Sequence, residues 1–323
     1  MDEKKKVSVV MCTYNGEKYI REQIDSILTQ TYPIYELIIQ DDGSTDNTVA
    51  ILREYEAQNS NITVFQNQVN VGFNENFKSA IAKAKGDYIA ISDQDDIWYP
   101  KKIEKQIQAI KGCSICFSAY HRDLCFSKEN SQIILPQYNL ERLLFGNCIP
   151  GHTMLVTKDF TVKSNHWNTH ICYDWWFLVS AYFDKGIVRV DEALNWHRPH
   201  NQSAITKLHD KYKGNVVDKP TYHSYLYGYK WYRKLQKKTA WNIFYAEVAR
   251  LTEGKYPLTH KFACLLQRKD FLSFFYLCVL CMINKNLIYP STKDLPIKNT
   301  FRSYIRAFCY PLIFSYGNTN YEL

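Results

Sequence analysis

The chain has 323 residues, 46% of them hydrophobic and 22% charged, with a formal net charge of +8. That length and apolar content exclude classes without a sizeable core and suit one large domain or two modest ones. Residues 1–205 carry 21 Lys and Arg against 25 Asp and Glu, whereas residues 206–323 carry 19 against 7. The basicity therefore belongs to the C-terminal third.

At the N-terminus, MDEKKKVSVVMCTYNG puts only a short apolar run before a polar turn, which is not the pattern of a secretory signal. A reducing cytosol is the expected compartment, with the ten cysteines as free thiols. The pairs Cys113/Cys116 and Cys278/Cys281 sit in apolar stretches, which favours burial over zinc half-sites.

Residues 7–11 are β-branched and apolar and read as a strand. A polar turn leads into EKYIREQIDSILTQ, where Tyr19, Ile20, Ile24, Ile27 and Leu28 recur at helical spacing. Residues 35–40 repeat the strand, and STDNTVAILREYEAQ opens on a Ser/Thr/Asp cluster suited to helix capping. Residues 62–67 supply a third strand, NENFKSAIAKAKG a third helix closed by Gly86, and DYIAIS a fourth strand. Strands separated by such helices imply a mostly parallel sheet covered on both faces, with ligands gathering beyond the carboxyl ends. The clusters CTYNG, DDGSTDN and DQDD follow the first, second and fourth strands, so all three fall at one sheet edge.

Pro100 is expected as the first helical residue ahead of KKIEKQIQAI. SICFSAYHRDLCF reads as one or two strands, and TMLVT and IVRV as short strands flanking a helix in YDWWFLVSAYF. From about residue 206, aromatic and basic residues interleave and strand signals become scarce. The expected organisation is a domain over residues 1–205, with halves at about 1–111 and 112–205, followed by a basic, aromatic helical region over 206–323. The apolar run at 271–283 is short of the roughly 18–20 residues needed to cross a bilayer. With Arg268, Lys269 and Lys285 beside it, it suits either an anionic membrane surface or an ordinary buried helix.

Three features carry chemistry. Asp93, Asp95 and Asp96 crowd the end of an apolar strand, where mutual repulsion makes each harder to ionise. Residues two apart on extended backbone point the same way, so a hard divalent cation could collect these oxygens; a solvated acidic turn is the alternative. In the second cluster, a strand-end carboxylate of Asp41 or Asp42 could accept an imide N–H such as that of uracil or thymine while Gly43 turns the chain. An Asx turn with a helix cap explains the same residues. Third, Asp174 precedes Trp175 and Trp176; aromatic walls exclude water, stack on sugars and raise a carboxylate toward useful basicity. The alternative is a capping Asp beside core tryptophans.

In this order the motifs resemble the family 2 glycosyltransferases of GT-A fold, most strongly over residues 7–111. Thr13, Tyr14 and Asn15 match the turn after the first strand, residues 41–44 the D-D-G-S motif, and Asp93 and Asp95 the D-x-D metal motif, with Asp96 adjoining. NVGFNENF, containing Asn76, resembles the loop beside the nucleotide. The resemblance implies an α/β, Rossmann-like GT-A fold with a mostly parallel central sheet flanked by helices and a helical C-terminal appendage.

It further implies nucleotide-sugar binding by Thr13, Tyr14, Asn15, Asp42, Asn76, Asp93 and Arg198, and Mn²⁺ or Mg²⁺ held by Asp95, Asp96 and His200. The latter role and that of Arg198 follow from a family Arg-x-His pattern within WHRPHNQSA, which leaves His197 unassigned. Asp174 matches the family's base in a motif commonly H-D-W-W, although Tyr173 stands where His is common. Trp175 and Trp176 would bind the acceptor, with GHTM at residues 151–154 on the same side.

SDQDDIW, YDWW and HRPHN look closest to bacterial rhamnosyltransferase-like members. The implied reaction is inverting transfer from a dTDP- or UDP-sugar, rhamnose among the candidates, to a glycan or lipid-linked glycan in surface polysaccharide synthesis. The implied location is cytoplasmic, with peripheral contact at the inner face of the membrane. A metal-dependent nucleotidyltransferase or sugar-diphosphate hydrolase is the alternative, though no Gly-rich, Lys-containing phosphate loop follows the first strand. A nucleic-acid-binding role for the basic third is disfavoured by the complete aspartate set.

Overall fold

The computed structural model describes residues 5–124, 126, 131–163, 167–168, 170–200, 222–288 and 300–317. The chain divides into two compact units. The first comprises Met1–Pro136, Ile149–Thr169 and Trp176–Pro199; the second comprises Gln137–Cys148, His170–Trp175 and His200–Leu323. The boundary expected at residue 205 lies outside the described residues.

The first unit is built on a nine-stranded sheet. Its strands are β1 (Val7–Thr13), β2 (Glu36–Asp41), β3 (Ile62–Gln66), β4 (Tyr88–Ser92), β5 (Ile97–Trp98), β6 (Ile115–Arg122), β7 (Gln132–Ile134), β8 (Met154–Thr157) and β9 (Ile187–His197). Their order is β3-β2-β1-β4-β8-β6-β9-β5, with β7 added beside β6. The strands β3, β2, β1 and β4 run parallel, as crossover helices require. Parallel order ends at β8, which runs antiparallel to both β4 and β6.

Helices α1 (Ile20–Leu28), α2 (Thr48–Gln58) and α3 (Phe73–Lys83) make the crossovers, and α4 (Lys102–Ala109) follows β5. Val9 and Val10 point to opposite faces of β1, yet both are fully buried, so the sheet is covered on both sides. Ile20, Ile24 and Ile27 of α1 pack into the same core as Val9, Leu37 and Leu52.

Two local expectations change. Helix α3 ends at Lys83 rather than running on to Gly86. A Cβ at Gly86 would lie 2.7 Å from the Ser8 amide nitrogen, so that glycine serves the close approach of this segment to β1. Pro100 precedes α4 by two residues, and its carbonyl accepts the Thr31 amide at 2.8 Å.

In the second unit the described C-terminal residues are helical: Tyr222–Leu235, Thr239–Thr252, Pro257–Gln267, Phe271–Ile283, Lys285–Ile288, Phe301–Phe308 and Tyr310–Gly317. Trp241, Phe244, Tyr245 and Phe262 form its buried centre. Trp241 Nε1 donates to Leu266 O at 2.9 Å and the Tyr245 hydroxyl to Leu144 O at 2.6 Å, which satisfies the polar end of each ring. Among the described residues, no helix is long and apolar enough to cross a membrane.

Candidate active site

Register decides what meets at the sheet edge. Thr13 on β1 lies opposite Asp41 on β2, and Met11 lies opposite Ser92 on β4. The three polar loops therefore leave the sheet side by side. Asp41 accepts the Thr13 hydroxyl and the Ser44 amide, each at 2.8 Å, and the Gly43 amide at 3.1 Å. Gly43 has φ +77°, a conformation that only glycine adopts freely.

Asp42 reaches the other way. Its Oδ1 accepts Asn67 Nδ2 and the Val71 amide at 2.8 Å, and its Oδ2 accepts the Gly72 amide at 3.0 Å. Asn15, at φ +50°, donates its amide to Ser44 Oγ and accepts the Thr45 amide through Oδ1. Asn76 is buried, donating to Gln40 O and accepting from Asn67 Nδ2, both at 2.9 Å. Thr13, Asn15 and Asn76 thus brace loops within the unit. Tyr14 is partly exposed, and its backbone exchanges two hydrogen bonds with the Gln94 amide. That exchange ties the turn after β1 to the acidic loop.

In that loop Asp93 is half-buried, Asp95 nearly buried and Asp96 fully buried. Strand β5 follows at once and pairs antiparallel with the end of β9, Ile97 opposite Trp196. The next position along each strand brings Asp96 to His197. His197 Nδ1 lies 3.0 Å from Asp96 Oδ1, and His152 Nδ1 lies 3.0 Å from Asp96 Oδ2. Asn195 Nδ2 donates to the same Oδ2 at 3.2 Å. The two imidazoles stack with centroids 4.9 Å apart and planes 10° from parallel.

Burial works against the charged form of Asp96, but the two imidazoles outweigh it and hold the carboxyl well below the usual carboxylate range. Burial likewise opposes a charged His197; Asp96, its hydrogen bond, and Asp95 and Asp93 behind it prevail and raise that imidazole. For His152 burial wins over Asp96 and lowers the pKa. The shifts favour charge on Asp96 and His197 and oppose it on His152.

Lys102 lies beneath. It is fully buried, donates Nζ to His152 O at 3.1 Å and sits 5.0 Å over the Trp98 ring. Burial pushes its ammonium down to about 7, with Asp96 pulling the other way.

The donor set fits a divalent cation. Asp96, His152 and His197 each offer a ligand atom, and these lie within 4.8 Å of one another. Asn195 Oδ1 is buried there with no hydrogen-bond partner, so some acceptor capacity is unspent.

The sequence reading left His197 unassigned and put residues 151–154 on the acceptor side. The structure brings both His152 and His197 to Asp96. His200, the expected ligand, is partly buried and groups with the second unit. Arg198 pairs with Glu22 and lies 4.5 Å over Tyr19 and 4.8 Å over Trp196. A diphosphate at Arg198 would have to compete with that carboxylate.

Asp174 stands in the first turn of a helix at Tyr173–Tyr182 and accepts the Trp175 amide at 2.8 Å. Trp175 and Trp176 are 0% and 3% exposed. Trp175 Nε1 donates to Leu143 O at 2.7 Å, and its ring packs 4.6 Å from Phe244. A buried ring offers no free face to a sugar, so both tryptophans pack the core here rather than form the stacking platform expected of them.

Residues 8–183 match the model of the Glycosyl transferase family 2. The chain belongs to that family. It is a glycosyltransferase, and its fold is the GT-A fold expected from the motifs. An uncharacterized glycosyltransferase of Haemophilus influenzae is 30% identical over 235 residues, covering 64% of this chain and 69% of that one. The putative teichuronic acid biosynthesis glycosyltransferase TuaG of Bacillus subtilis is 38% identical over 116 residues, 35% of this chain and 46% of its own length.

Among solved structures, residues 1–349 of TarS from S. aureus in complex with UDP-GlcNAc superpose with TM-score 0.57 at 17% identity, covering 90% of this glycosyltransferase and 98% of that chain. The mannosyltransferase PcManGT from Pyrobaculum calidifontis, in complex with GDP-Man and Mn²⁺, has TM-score 0.53 at 13% identity, covering 97% and 86%.

Proposed function

We propose that this glycosyltransferase moves a sugar from a UDP- or dTDP-sugar to a glycan or lipid-linked glycan of a surface polysaccharide, with inversion at the anomeric carbon. The observation that carries the reading is the convergence, at one sheet edge, of Asp41 and Asp42 with Asp93, Asp95 and Asp96 from the family-2 segment and of His197 from the strand that follows it. The TuaG likeness supports a polysaccharide product, and the UDP-GlcNAc held by TarS supports a uridine donor, with dTDP kept on the motif resemblance. Rhamnose remains the proposed sugar on the motif resemblance.

In this reading Tyr14, Asp42 and Asp93 receive the nucleoside, with Thr13, Asn15 and Asn76 bracing their loops. Arg198 would exchange Glu22 for the diphosphate. Asp95 and Asp96, with imidazoles from His197 and His152 and the proposed help of His200, would hold Mn²⁺ or Mg²⁺. A cation bound there would supply charge neutralisation for the departing diphosphate.

Asp174 takes the proton of the acceptor hydroxyl as that oxygen bonds to the anomeric carbon and the bond to the diphosphate breaks on the opposite face. Trp175 and Trp176 contribute by packing beside that carboxylate. With a lipid-linked acceptor, the enzyme would work peripherally at the inner membrane face.

Thermal unfolding with UDP, dTDP or GDP, with and without Mn²⁺, tests the donor site. A metal-dependent rise with UDP or dTDP that disappears in Asp95→Ala is expected; a rise with GDP alone overturns the donor assignment. Product analysis then separates transfer from hydrolysis, since a hydrolase would give free sugar whether or not an acceptor is present.

A further inference from the structure

Helix Phe271–Ile283 is apolar at almost every position, yet only one side of it is used. Phe274, Leu277, Cys278 and Cys281 are buried in the second unit. On the opposite side Phe271 is 62% exposed, Leu272 79%, Phe275 50%, Tyr276 41% and Ile283 68%. The first four recur at i, i+1, i+4 and i+5, which is a single stripe down a helix. Among the described residues it is only edged: Tyr229 meets Phe271 with ring centroids 6.1 Å apart, and Leu272 and Ile283 stay the most open. Phe275 packs against Phe308 at 5.7 Å, and that neighbouring helix, Phe301–Phe308, adds Phe301 and Ile305, also exposed and one turn apart. A continuous apolar surface of this kind marks an interaction site rather than ordinary surface.

Charge identifies what it meets. A groove of about 410 Å³ runs beside the stripe, lined by Lys261, Cys264, Leu265, Arg268, Leu272 and Tyr276. Its charged lining residues are both cations, and Lys261 Nζ sits 4.7 Å over the Tyr276 ring. Lys269 follows at once, and Arg302 is exposed on the neighbouring helix. Residues 206–323 as a whole hold 19 basic against 7 acidic side chains. Apolar and aromatic side chains edged by cations are the combination that enters the headgroup boundary of an anionic leaflet. A protein partner would need a matching apolar face and its own acidic rim; a leaflet carries both without further design.

We propose that the Phe271–Ile283 stripe and the Lys261/Arg268 groove together dock this protein on an anionic phospholipid leaflet, the apolar side chains entering the acyl boundary and the groove seating a lipid phosphate. The inference rests on the lipid-linked acceptor of the reading above, and it names the surface that brings the enzyme there.

The test is flotation of the full chain, without donor, on vesicles of phosphatidylcholine alone and of phosphatidylcholine mixed with phosphatidylglycerol. Wild type should float with the anionic vesicles and release as salt rises. Leu272→Ser with Phe275→Ser should lower vesicle affinity about tenfold or more, because apolar insertion is lost. Lys261→Gln and Arg268→Gln should each cost about fivefold on anionic vesicles and little on neutral ones.

Unchanged thermal unfolding and donor turnover in these variants would establish that they remain folded. Wild type that ignores anionic vesicles, or a Ser double variant that binds them like wild type, overturns the proposal. So does a dimer seen by sedimentation that only the Ser double variant abolishes, since the stripe would then be an interface between copies. Failure of every sugar nucleotide as donor would overturn the proposed reaction and leave the vesicle result intact.

Discussion

Asp96 and His197, 101 positions apart in the chain, meet with Oδ1 and Nδ1 3.0 Å from each other. The carboxylate is fully buried, out of reach of bulk solvent. Its charge is held by the two imidazoles and the Asn195 amide. Removing the carboxylate takes the partner from His197 and leaves the buried His152 and Asn195 side chains unpaired on that side. Asp96→Ala should therefore cost roughly 3–5 kcal/mol of stability, the usual range for breaking one side of a buried pair. Denaturant unfolding in the presence of chelator reads this directly. A loss below about 1 kcal/mol, the size of a surface pair, would mean the network is solvated.

The same pair predicts a pH dependence. The His197 pKa is raised in the fold, so its contribution is fully present below the unfolded value of about 6.5 and is lost as pH rises through the folded value. Asp96 is depressed, so its share is present above the unfolded carboxylate value of about 3.9 and fades only in strong acid. The stability difference between wild type and His197→Gln, both metal-free, should be largest near pH 5–6 and shrink towards pH 9. A difference that grew with pH would show that His197 is neutral in the fold.

How much of this was visible beforehand follows from distance along the chain. Strands β1 to β4 and their polar ends were readable because each is a local run of apolar residues closed by a carboxylate or a turn. The pairing of Asp96 with His197 was not, because it depends on β5, a strand of two residues that carries no periodic signal. Lys102 in KKIEKQ looks like surface charge; only the buried set Lys102, Ile103 and Gln106 on α4 reveals its inward face. Trp175 and Trp176 mislead for a different reason. An aromatic pair beside an aspartate has the same composition whether it lines a sugar site or fills a core, and here both rings are buried.

Asp174 gives a prediction that separates chemistry from binding. If it removes the acceptor proton, Asp174→Asn keeps the size of the side chain and the oxygen that accepts the Trp175 amide, but not the basicity. Turnover should fall about a hundredfold to ten-thousandfold, the range for loss of a general base. Nucleotide affinity, measured by calorimetry, should stay within about twofold, since the proposed nucleoside contacts come from β1, β2 and β4 (a factor of two is about 0.4 kcal/mol). Equal losses in binding and turnover would reassign Asp174 to structure.

Lys102 tests whether the buried charge around Asp96 is stabilising or merely tolerated. With its ammonium pushed down to about 7, the fold disfavours the charged form that the unfolded chain keeps to about 10.4. The sign follows: below pH 7 the folded protein bears the whole penalty, and it is relieved as pH rises towards 10. Lys102→Met removes that penalty while filling similar volume, and it leaves His152 O without its donor at a cost of about 1 kcal/mol. The net expectation is a gain of roughly 3–4 kcal/mol at pH 6 that vanishes near pH 10. Activity should move the other way, because the carbonyl anchored by Lys102 belongs to His152, one of the imidazoles on Asp96. A variant both more stable and more poorly activated by Mn²⁺ would mark Lys102 as a positioning residue retained at the expense of stability. A variant less stable at pH 6 would show that the ammonium is compensated in the fold and that its burial carries no penalty.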